Sequence, residues 1–345
     1  MDRVTLRDVA ERAGVSMKTV SNVVRDYEHV SPRMRQRVQA AIDELGYRPN
    51  LRGRSLATGR SRMLSLAFPD LRWPYFAELA HVFASVCSER GYRLLIEETG
   101  ATADGELAVL RDRELGIVDG VILHPQCLTA AELEEHRRGT PLVFLGEDPQ
   151  PAGSDQVAID NVAAAGDAVD HLLRLGRRRI VFLGQERDAM SRTSELRIEG
   201  YRIALERAGL PFDEGLLVER GEGDALGSEA AMGAALDAGL RLDGLLCRDD
   251  AAAIGALRAL KARGLEVPGD VAVVGWDATI LTASTIPAIT SVAPDTRAIA
   301  DGALDLLLER IEGADVPGRH VTVGYRILVR ESAPDPARVA ATPPG

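Results

Sequence analysis

The sequence predicts an α/β protein in which a small three-helix head precedes a larger, two-lobed body of doubly wound parallel sheets. Three observations lead to this prediction. The 345 residues are too many for one ordinary compact domain. From Met63 onward, short apolar runs alternate with helical stretches, a pattern typical of parallel sheets covered by helices on both faces. Residues 1–60 hold twelve Lys and Arg against seven Asp and Glu, although the whole chain has a net charge of −11.

Composition and charge exclude several classes of protein. The chain has 46% hydrophobic and 27% charged residues, which is typical of a folded, water-soluble protein. No run approaches the roughly 18 apolar residues of a membrane span, and the N-terminus lacks the apolar core of a signal peptide. Cys87, Cys127 and Cys247 are too far apart for a disulfide framework or a zinc site, which predicts a cytoplasmic protein. The charge is +5 in residues 1–60 and −16 in the remainder, which predicts that nucleic acid contacts only the head.

The head is predicted to contain three short helices. Thr5 is a candidate N-cap for the first helix, which Gly14 ends. Ser16 caps the second helix, and Ser31 begins a third that ends at Gly46. Two helices joined by a tight glycine turn and supported by a third form a helix-turn-helix.

The second helix presents a stripe of side chains whose chemistry matches the major groove of DNA. Lys18 can donate to guanine, Asn22 can pair with adenine, and Met17 can pack against a thymine methyl group. Other side chains are candidates for phosphate contacts, which position a protein without reading sequence. These are Thr5, Ser16, Thr19, Ser21, Arg25, Ser31 and Asn50. The alternative is a three-helix packing module whose charged stripe is only solvated.

In the body, eight strands and at least four helices are predicted. The strands are Leu64–Phe68, Arg93–Glu97, Gly120–Leu123, Leu142–Leu145, Gln156–Ile159, Ile180–Gly184, Gly244–Cys247 and Val271–Gly275. The helices include Phe76–Arg90, Val162–Leu175, Arg197–Ala208 and Ala251–Arg263. A span of about 270 residues is long for one such sheet, which predicts two similar lobes.

Ligands of open parallel sheets sit beyond the carboxyl ends of the strands, and several side chains there are candidate contacts. They are Trp73, Tyr75, Phe76, His124, Asp148, Asp249, Trp276 and Asp277. Glu147 follows the same strand as Asp148. Aromatic faces beside carboxylates suit a polyhydroxylated ligand such as a sugar. Arg197, at the predicted start of a helix, can hold a hydroxyl or an anion. The alternatives are structural: Asp249 is also a plausible helix N-cap, and Trp73 can pack one lobe against the other.

Several segments of the head carry a family resemblance. They are residues 4–10 (VTLRDVA), 13–16 (AGVS), 19–21 (TVS), 41–50 (AIDELGYRPN) and 55–61 (SLATGRS). In these segments the chain resembles LacI/GalR-type bacterial transcriptional regulators. The resemblance implies that Met17, Lys18 and Asn22 read bases. It also implies a hinge helix over residues 50–57 that enters the minor groove in a dimer, with Leu56 and Ala57 at the groove. About two turns are too few for a stable isolated helix, so we expect it to fold only on DNA.

The body resembles the same family more loosely. The matching segments are 69–80, 157–161, 176–180, 197–201, 274–277 and 330–332. The implied fold is similar to that of periplasmic sugar-binding proteins, with three crossing strands and the effector between two lobes. The resemblance adds Thr193 to the candidate effector contacts and supports Tyr75, Phe76, Asp148, Arg197, Asp249 and Asp277. Residues 290–295 lack the Arg-Gln pair that many relatives carry, so we expect one polar effector contact to be missing there.

The predicted domains are a DNA-binding head, a hinge and an effector-binding, dimerising body. Their bounds are 1–48 for the head, 49–61 for the hinge helix and linker, 62–332 for the body, and 333–345 for a flexible tail. Within the body, lobe 1 comprises 62–160 and 292–321, and lobe 2 comprises 162–290 and 322–332.

The predicted function is sequence-specific DNA binding by a transcriptional regulator, a repressor controlled by a small-molecule effector such as a sugar. We expect a homodimer or larger assembly on a roughly palindromic operator in the bacterial cytoplasm, at the nucleoid when bound. No cofactor, metal or membrane partner is expected. The alternatives are a sugar-binding protein linked to transport and a nucleotide-binding enzyme on the same body. The sequence contains no P-loop, H-E-x-x-H or G-x-S-x-G motif.

Overall fold

The computed structural model describes residues 4–24, 27, 29–47, 60–136, 139, 141–148, 150–186, 191–221 and 223–335. Residue contacts divide the chain into two compact units, Met1–Arg62 and Met63–Gly345, called here the head and the body. The predicted DNA contacts Arg25, Asn50, Leu56 and Ala57 lie outside the described residues, as does the predicted hinge helix.

The head contains three α-helices: α1 (Leu6–Ala13), α2 (Met17–Val24) and α3 (Pro32–Leu45). Their ends follow from local chemistry. Thr5 forms a reciprocal capping box with Asp8, and the Ser31 hydroxyl accepts a hydrogen bond from the Met34 amide. Gly14 and Gly46 end α1 and α3 in the left-handed region, at φ values of 59° and 61°. The predicted helix-turn-helix is therefore present.

The apolar faces of the three helices form one small core. Its buried members are Val9, Ala10, Ala13, Val20, Val23, Val38, Ala41 and Tyr47. Because Val20 and Val23 are the inward residues of α2, the opposite face of that helix is left to solvent.

The body is built on twelve strands in the described residues. They are β1 (Met63–Phe68), β2 (Arg93–Glu98), β3 (Gly120–Leu123), β4 (Leu142–Leu145), β5 (Asp155–Ile159), β6 (Ile180–Gln185), β7 (Leu217–Glu219), β8 (Gly244–Cys247), β9 (Ala272–Trp276), β10 (Thr290–Pro294), β11 (His320–Val323) and β12 (Tyr325–Leu328). The central strands β3, β4, β8 and β9 are buried at every position, as expected for parallel strands covered on both faces.

Helices connect most of these strands. They are α4 (Pro74–Glu89), α5 (Ala103–Glu114), α6 (Ala130–His136), α7 (Asn161–Arg174), α8 (Arg192–Arg207), α9 (Ala225–Asp237), α10 (Asp250–Ala262) and α11 (Thr296–Ile311). Two short 3₁₀ helices span Glu214–Leu216 and Ile280–Ala283. No helix among the described residues is long and apolar enough to cross a membrane.

The strands form two six-stranded sheets, one in each lobe. The first has the order β11-β5-β4-β3-β1-β2, and the second has the order β12-β10-β9-β8-β6-β7. The pairings are parallel except that β12 runs antiparallel to β10. The chain crosses between the sheets after Ile159, after Pro294 and at Gly324. This is the two-lobed parallel-sheet body that the sequence predicts.

The sequence predicted the strands with apolar runs well and the short or polar ones poorly. Each end of the eight predicted strands lies within one residue of the structure, whereas β7, β10, β11 and β12 were missed. Three of these are edge strands, and β10 begins with the buried polar residues Thr290 and Ser291, so none shows a long apolar run. The predicted start of α8 at Arg197 was wrong. The helix begins at Arg192 because Ser191 caps it.

The lobe boundaries also differ from the prediction by a few residues. Residues 292–294 complete β10 and lie in the second sheet, whereas Thr322 and Val323 belong to β11 of the first sheet. Ala333, the predicted first residue of a flexible tail, is fully buried, and its carbonyl accepts a hydrogen bond from the Thr290 hydroxyl at 3.1 Å. Residues 336–345 lie outside the described residues.

Candidate functional site

The exposed face of α2 carries the predicted base-reading residues. Met17 is 55% exposed, Lys18 is exposed, and Asn22 is partly exposed, while Val20 and Val23 point into the core. Ser21 is also partly exposed. The helical period therefore separates a packing face from a face whose donors and acceptors are available to the edges of bases.

The hydroxyl groups predicted to contact phosphates also hold the helix ends. The Ser16 hydroxyl accepts the Thr19 amide at 3.1 Å and lies 2.9 Å from the Thr19 hydroxyl. Thr5 and Ser31 cap α1 and α3. Thr5, Ser16 and Ser31 are exposed, so capping leaves them at the surface where helix N-termini favour anions.

Arginines that the sequence analysis did not single out hold the head together. Arg37 on α3 donates from Nη2 to the Gly14 carbonyl at 2.7 Å, which fixes the turn before α2. Arg12 on α1 pairs with Glu44 on α3 at 2.6 Å. The positive charge of the head therefore serves its tertiary structure as well as a surface for DNA.

A cavity of about 470 Å³ lies between the two lobes of the body. Nine of the ten predicted effector contacts line it, although they come from both sheets. They are Trp73, Tyr75, Phe76, His124, Asp148, Thr193, Arg197, Asp249 and Asp277. The carboxyl ends of the strands thus meet at this cavity, as the rule for parallel sheets predicts.

Trp276 is the tenth predicted contact, and it does not line the cavity. It is fully buried, and the guanidinium of Arg197 lies 4.0 Å from its ring centroid. Trp276 is the last residue of β9 and packs against the Arg197 guanidinium, whereas Asp277, in the turn that follows, lines the cavity.

An aromatic wall forms the lobe 1 side of the cavity. Phe76 stacks on Phe68 at 4.8 Å between ring centroids, and Tyr75 lies 5.5 Å from Phe76. His124 meets the Phe76 ring edge-on at 5.2 Å, and burial lowers the pKa of its imidazole. Its Nδ1 is buried and has no hydrogen-bond partner among the described residues.

Glu147 is a cavity residue that connects the lobes. Its carboxylate accepts a hydrogen bond from the Thr193 hydroxyl at 2.8 Å and another from the Asn161 amide at 2.5 Å. Asn161 in turn accepts from Nε of Arg197 at 2.8 Å. The sequence analysis placed Glu147 after a strand but chose its neighbour Asp148 as the contact.

A second cluster of cavity residues was not predicted. Glu186 lies 3.1 Å from Arg220 and 3.3 Å from Arg248, and both arginines face the ring of Trp73 across the lobes. The Arg220 guanidinium carbon is 4.7 Å from the ring centroid. The only sequence signal for Arg248 was its position directly after a strand, beside Asp249.

Asp277 sits in an unusual backbone conformation at the end of β9. Asp277 and Ala278 have positive φ values of 95° and 55°. Hydrogen bonds from the Ala278 amide to Ser291 and from the Thr279 amide to the buried Asp250 hold this turn. Two non-glycine residues in the left-handed region indicate a turn fixed by its surroundings.

Burial raises the pKa of two cavity carboxylates. The pKa of Asp277 rises to about 8 because burial disfavours its charge, although Arg197 opposes the shift. The pKa of Asp148 rises to about 6 through burial and the nearby charge of Glu147. No other described residue donates a hydrogen bond to either carboxylate, so both can accept from a ligand.

One further contact joins the lobes outside the cavity. Glu78 on α4 accepts the backbone amide of Ile280 at 2.8 Å. Ile280 begins the 3₁₀ helix that follows the Asp277 turn, so this bond connects the cavity wall of lobe 2 to a helix of lobe 1. Within the described residues, no group of three His, Cys, Asp or Glu side chains is arranged to hold a metal ion.

Comparisons with known proteins find relatives for both the head and the body. Residues 5–50 match the profile of bacterial regulatory proteins of the lacI family, and residues 169–333 match a periplasmic binding protein-like domain. The transcriptional regulator CelR of Thermobifida fusca is 33% identical over 346 residues, which cover 96% of this chain and 98% of CelR.

Solved structures agree with this assignment. A lac repressor dimer bound to operator and the anti-inducer ONPF has a TM-score of 0.84 at 26% identity, covering 97% of this chain and all of that one. A CelR–cellobiose complex has a TM-score of 0.70 at 30% identity, covering 96% of this chain and all of that one. The relatives are regulators rather than enzymes. The chain belongs to the LacI family of bacterial regulatory proteins and is a DNA-binding transcriptional regulator.

Proposed function

We propose that this regulator is a repressor whose α2 enters the major groove of a roughly palindromic operator. Met17, Lys18 and Asn22 read bases there, while the exposed hydroxyls of Thr5, Ser16 and Ser31, with Thr19 and Ser21, contact phosphates. The support is the exposed polar face of α2, held in place by caps and by the bond from Arg37 to Gly14. The lac repressor structure was determined with a dimer on operator DNA, which supports a homodimer here.

The effector of this regulator is a sugar bound between the lobes. The observation that carries this proposal is the cavity of about 470 Å³, which combines an aromatic wall with two carboxylates to which no other described residue donates a hydrogen bond. Aromatic faces pack on the CH groups of a sugar, and carboxylates accept from its hydroxyls. The complex of the related CelR with cellobiose supports a ligand of this class.

Effector binding acts on DNA affinity through the arrangement of the lobes. The contacts that join them include Glu147 with Thr193, Trp73 with Arg220, and Glu78 with the Ile280 amide. A ligand shifts an equilibrium only by its difference in affinity for two states, and a ligand between lobes necessarily touches both. In this proposal residues 1–48 read DNA at the nucleoid in the cytoplasm. Residues 49–61 link the DNA-binding head to the body, and residues 62–332 bind the effector.

Two measurements on the full chain test this function. Enrichment from random DNA should yield a palindromic sequence. A thermal-shift screen of neutral mono- and disaccharides and nucleosides should then yield a sugar that raises the melting temperature. That sugar should also change operator affinity. DNA binding without sequence preference would contradict the first part of the proposal. A stabilising sugar that leaves operator affinity unchanged would contradict the second.

A further inference from the structure

The cavity between the lobes contains many charged side chains, and their pairing decides which ligands it accepts. It is lined by the arginines Arg192, Arg197, Arg220 and Arg248 and by the carboxylates Asp70, Glu147, Asp148, Glu186, Asp249 and Asp277. Four arginines by themselves suggest a site for an anion. A ligand, however, meets only the charge that the protein has not already neutralised.

Two of the arginines are neutralised by neighbouring carboxylates. Arg220 and Arg248 share Glu186, at 3.1 and 3.3 Å. Arg248 also pairs with Asp249 at 3.0 Å and donates from Nε to the Ser194 hydroxyl at 2.7 Å. Both are held mostly out of solvent, so these pairs are screened little by salt.

The other two arginines are also engaged. Arg192 pairs with Glu195 at 2.9 Å. Arg197 donates from Nε to Asn161 at 2.8 Å and from Nη1 to the carbonyl of Arg248, and its guanidinium stacks on Trp276. Only Nη2 of Arg197 has no protein acceptor among the described residues. Nη2 carries two N–H groups that can donate to ligand hydroxyls, and Arg197 is the one cavity arginine that forms no ion pair among the described residues.

The carboxylates divide differently. Asp70 is held by Arg72, and Glu147 accepts from Asn161 and Thr193. Glu186 forms ion pairs with Arg220 and Arg248, and Asp249 forms one with Arg248. Asp148 and Asp277 remain, since no other described residue donates a hydrogen bond to either of them. The unsatisfied groups at the cavity are therefore mostly acceptors, and their ionised forms are negative.

We infer that this cavity selects neutral ligands rich in hydrogen-bond donors and excludes ligands that carry a carboxylate or a phosphate. The inference rests on the proposed effector function and narrows its ligand class. Ligand hydroxyls supply the donors that Asp148 and Asp277 lack. At a pH where both are ionised, an anion instead meets these two carboxylates, and three of the four arginines are already paired with carboxylates. Contact between like charges is strongly unfavourable, so we expect an affinity at least about a hundredfold lower than for the neutral parent sugar.

The test compares matched sugars by dose-dependent thermal shift on the full chain at pH 9. At that pH both carboxylates are ionised, since burial raises the pKa of Asp148 to about 6 and that of Asp277 to about 8. The charged groups that face them are Arg192, Arg197, Arg248, Glu106, Glu147, Asp249 and Asp250. The probes are D-glucose, D-glucuronate and D-glucose 6-phosphate, with the three galactose counterparts in parallel.

The expected result is stabilisation by a neutral sugar and none by its uronate or phosphate at the same concentration. Asp277→Asn should improve the binding of the uronate relative to the neutral sugar by about tenfold, because one repulsive charge is removed. Asp315→Asn, which changes an exposed aspartate outside the cavity, should leave the ratio unchanged.

Two other results would overturn the inference, and they are distinguishable. If a uronate or phosphate stabilises the chain as well as its neutral parent, the charge selection is wrong while a sugar effector remains. If no neutral sugar stabilises the chain in this series or in the wider screen, the proposed effector class fails and the inference fails with it.

Discussion

Replacing Asp277 by asparagine is expected to remove a pH dependence of stability that this buried carboxylate imposes. Asparagine has nearly the same size and tolerates the φ of 95° at this position better than most residues. The backbone amide of residue 277 remains bonded to the Val292 carbonyl at 2.8 Å, so the turn is kept. The substitution therefore changes the charge with little change in shape.

The sign of the effect follows from the raised pKa. Burial lifts the pKa of Asp277 from 3.8 to about 8, so the folded chain binds this proton more tightly than the unfolded chain does. Stability from this group is therefore lost as pH rises from about 4 to about 8, by up to about 1.4 kcal/mol per pH unit. The pKa values of Asp148 and Asp250, each raised to about 6, act at lower pH. Between pH 6 and 8, Asp277 alone should lower the free energy of unfolding by about 2–3 kcal/mol.

Urea unfolding at pH 6, 7 and 8 measures this difference. Both tryptophans, Trp73 and Trp276, lie in the body, so their fluorescence reports the unfolding of that unit. The wild type should lose stability across this range, while Asp277→Asn should stay nearly constant. Asp315→Asn should behave like the wild type because that carboxylate is exposed. Parallel curves for the wild type and Asp277→Asn would refute the assignment of the raised pKa.

Three further predictions concern the head and the contacts between lobes. Asn22→Ala should abolish discrimination among operator variants in a DNA-binding titration while keeping nonspecific affinity, because an adenine contact is lost; unchanged discrimination would remove Asn22 from the reading face. Glu78→Ala removes a hydrogen bond worth about 1 kcal/mol, so the effector concentration that half-alters operator binding should shift up to about fivefold. Glu78→Gln keeps an acceptor and should respond like the wild type. If the wild type and both variants need the same effector concentration to half-alter operator binding, the contact between Glu78 and Ile280 plays no part in the effector response. Arg37→Ala frees the Gly14 carbonyl and should lower the stability of the head by about 1 kcal/mol in thermal unfolding followed by circular dichroism. Arg7→Ala, which loses only an exposed pair on one helix, should change it by less than about 0.5 kcal/mol.

Local features of the sequence accounted for most of the fold and much of the site. The caps at Thr5 and Ser31 and the glycines at 14 and 46 are local signals, and they set the ends of α1 and α3. Buried parallel strands carry continuous apolar runs, so their ends could be placed to within one residue. Because ligands collect at those ends, strand-end residues were chosen as candidates, and nine of the ten line the cavity.

The tertiary structure alone decided how those residues are paired. Nothing local in the sequence joins Glu186 to Arg220 or Glu78 to Ile280, because the partners come from different elements or different lobes. Trp276 and Asp277 are neighbours in the chain, yet one supports Arg197 from the core and the other faces the cavity. The sequence by itself determined that this chain has a basic reading head and an acidic sensing body with polar residues at its strand ends. The charge that a ligand meets was decided only by the fold, because pairing requires two side chains to meet in space.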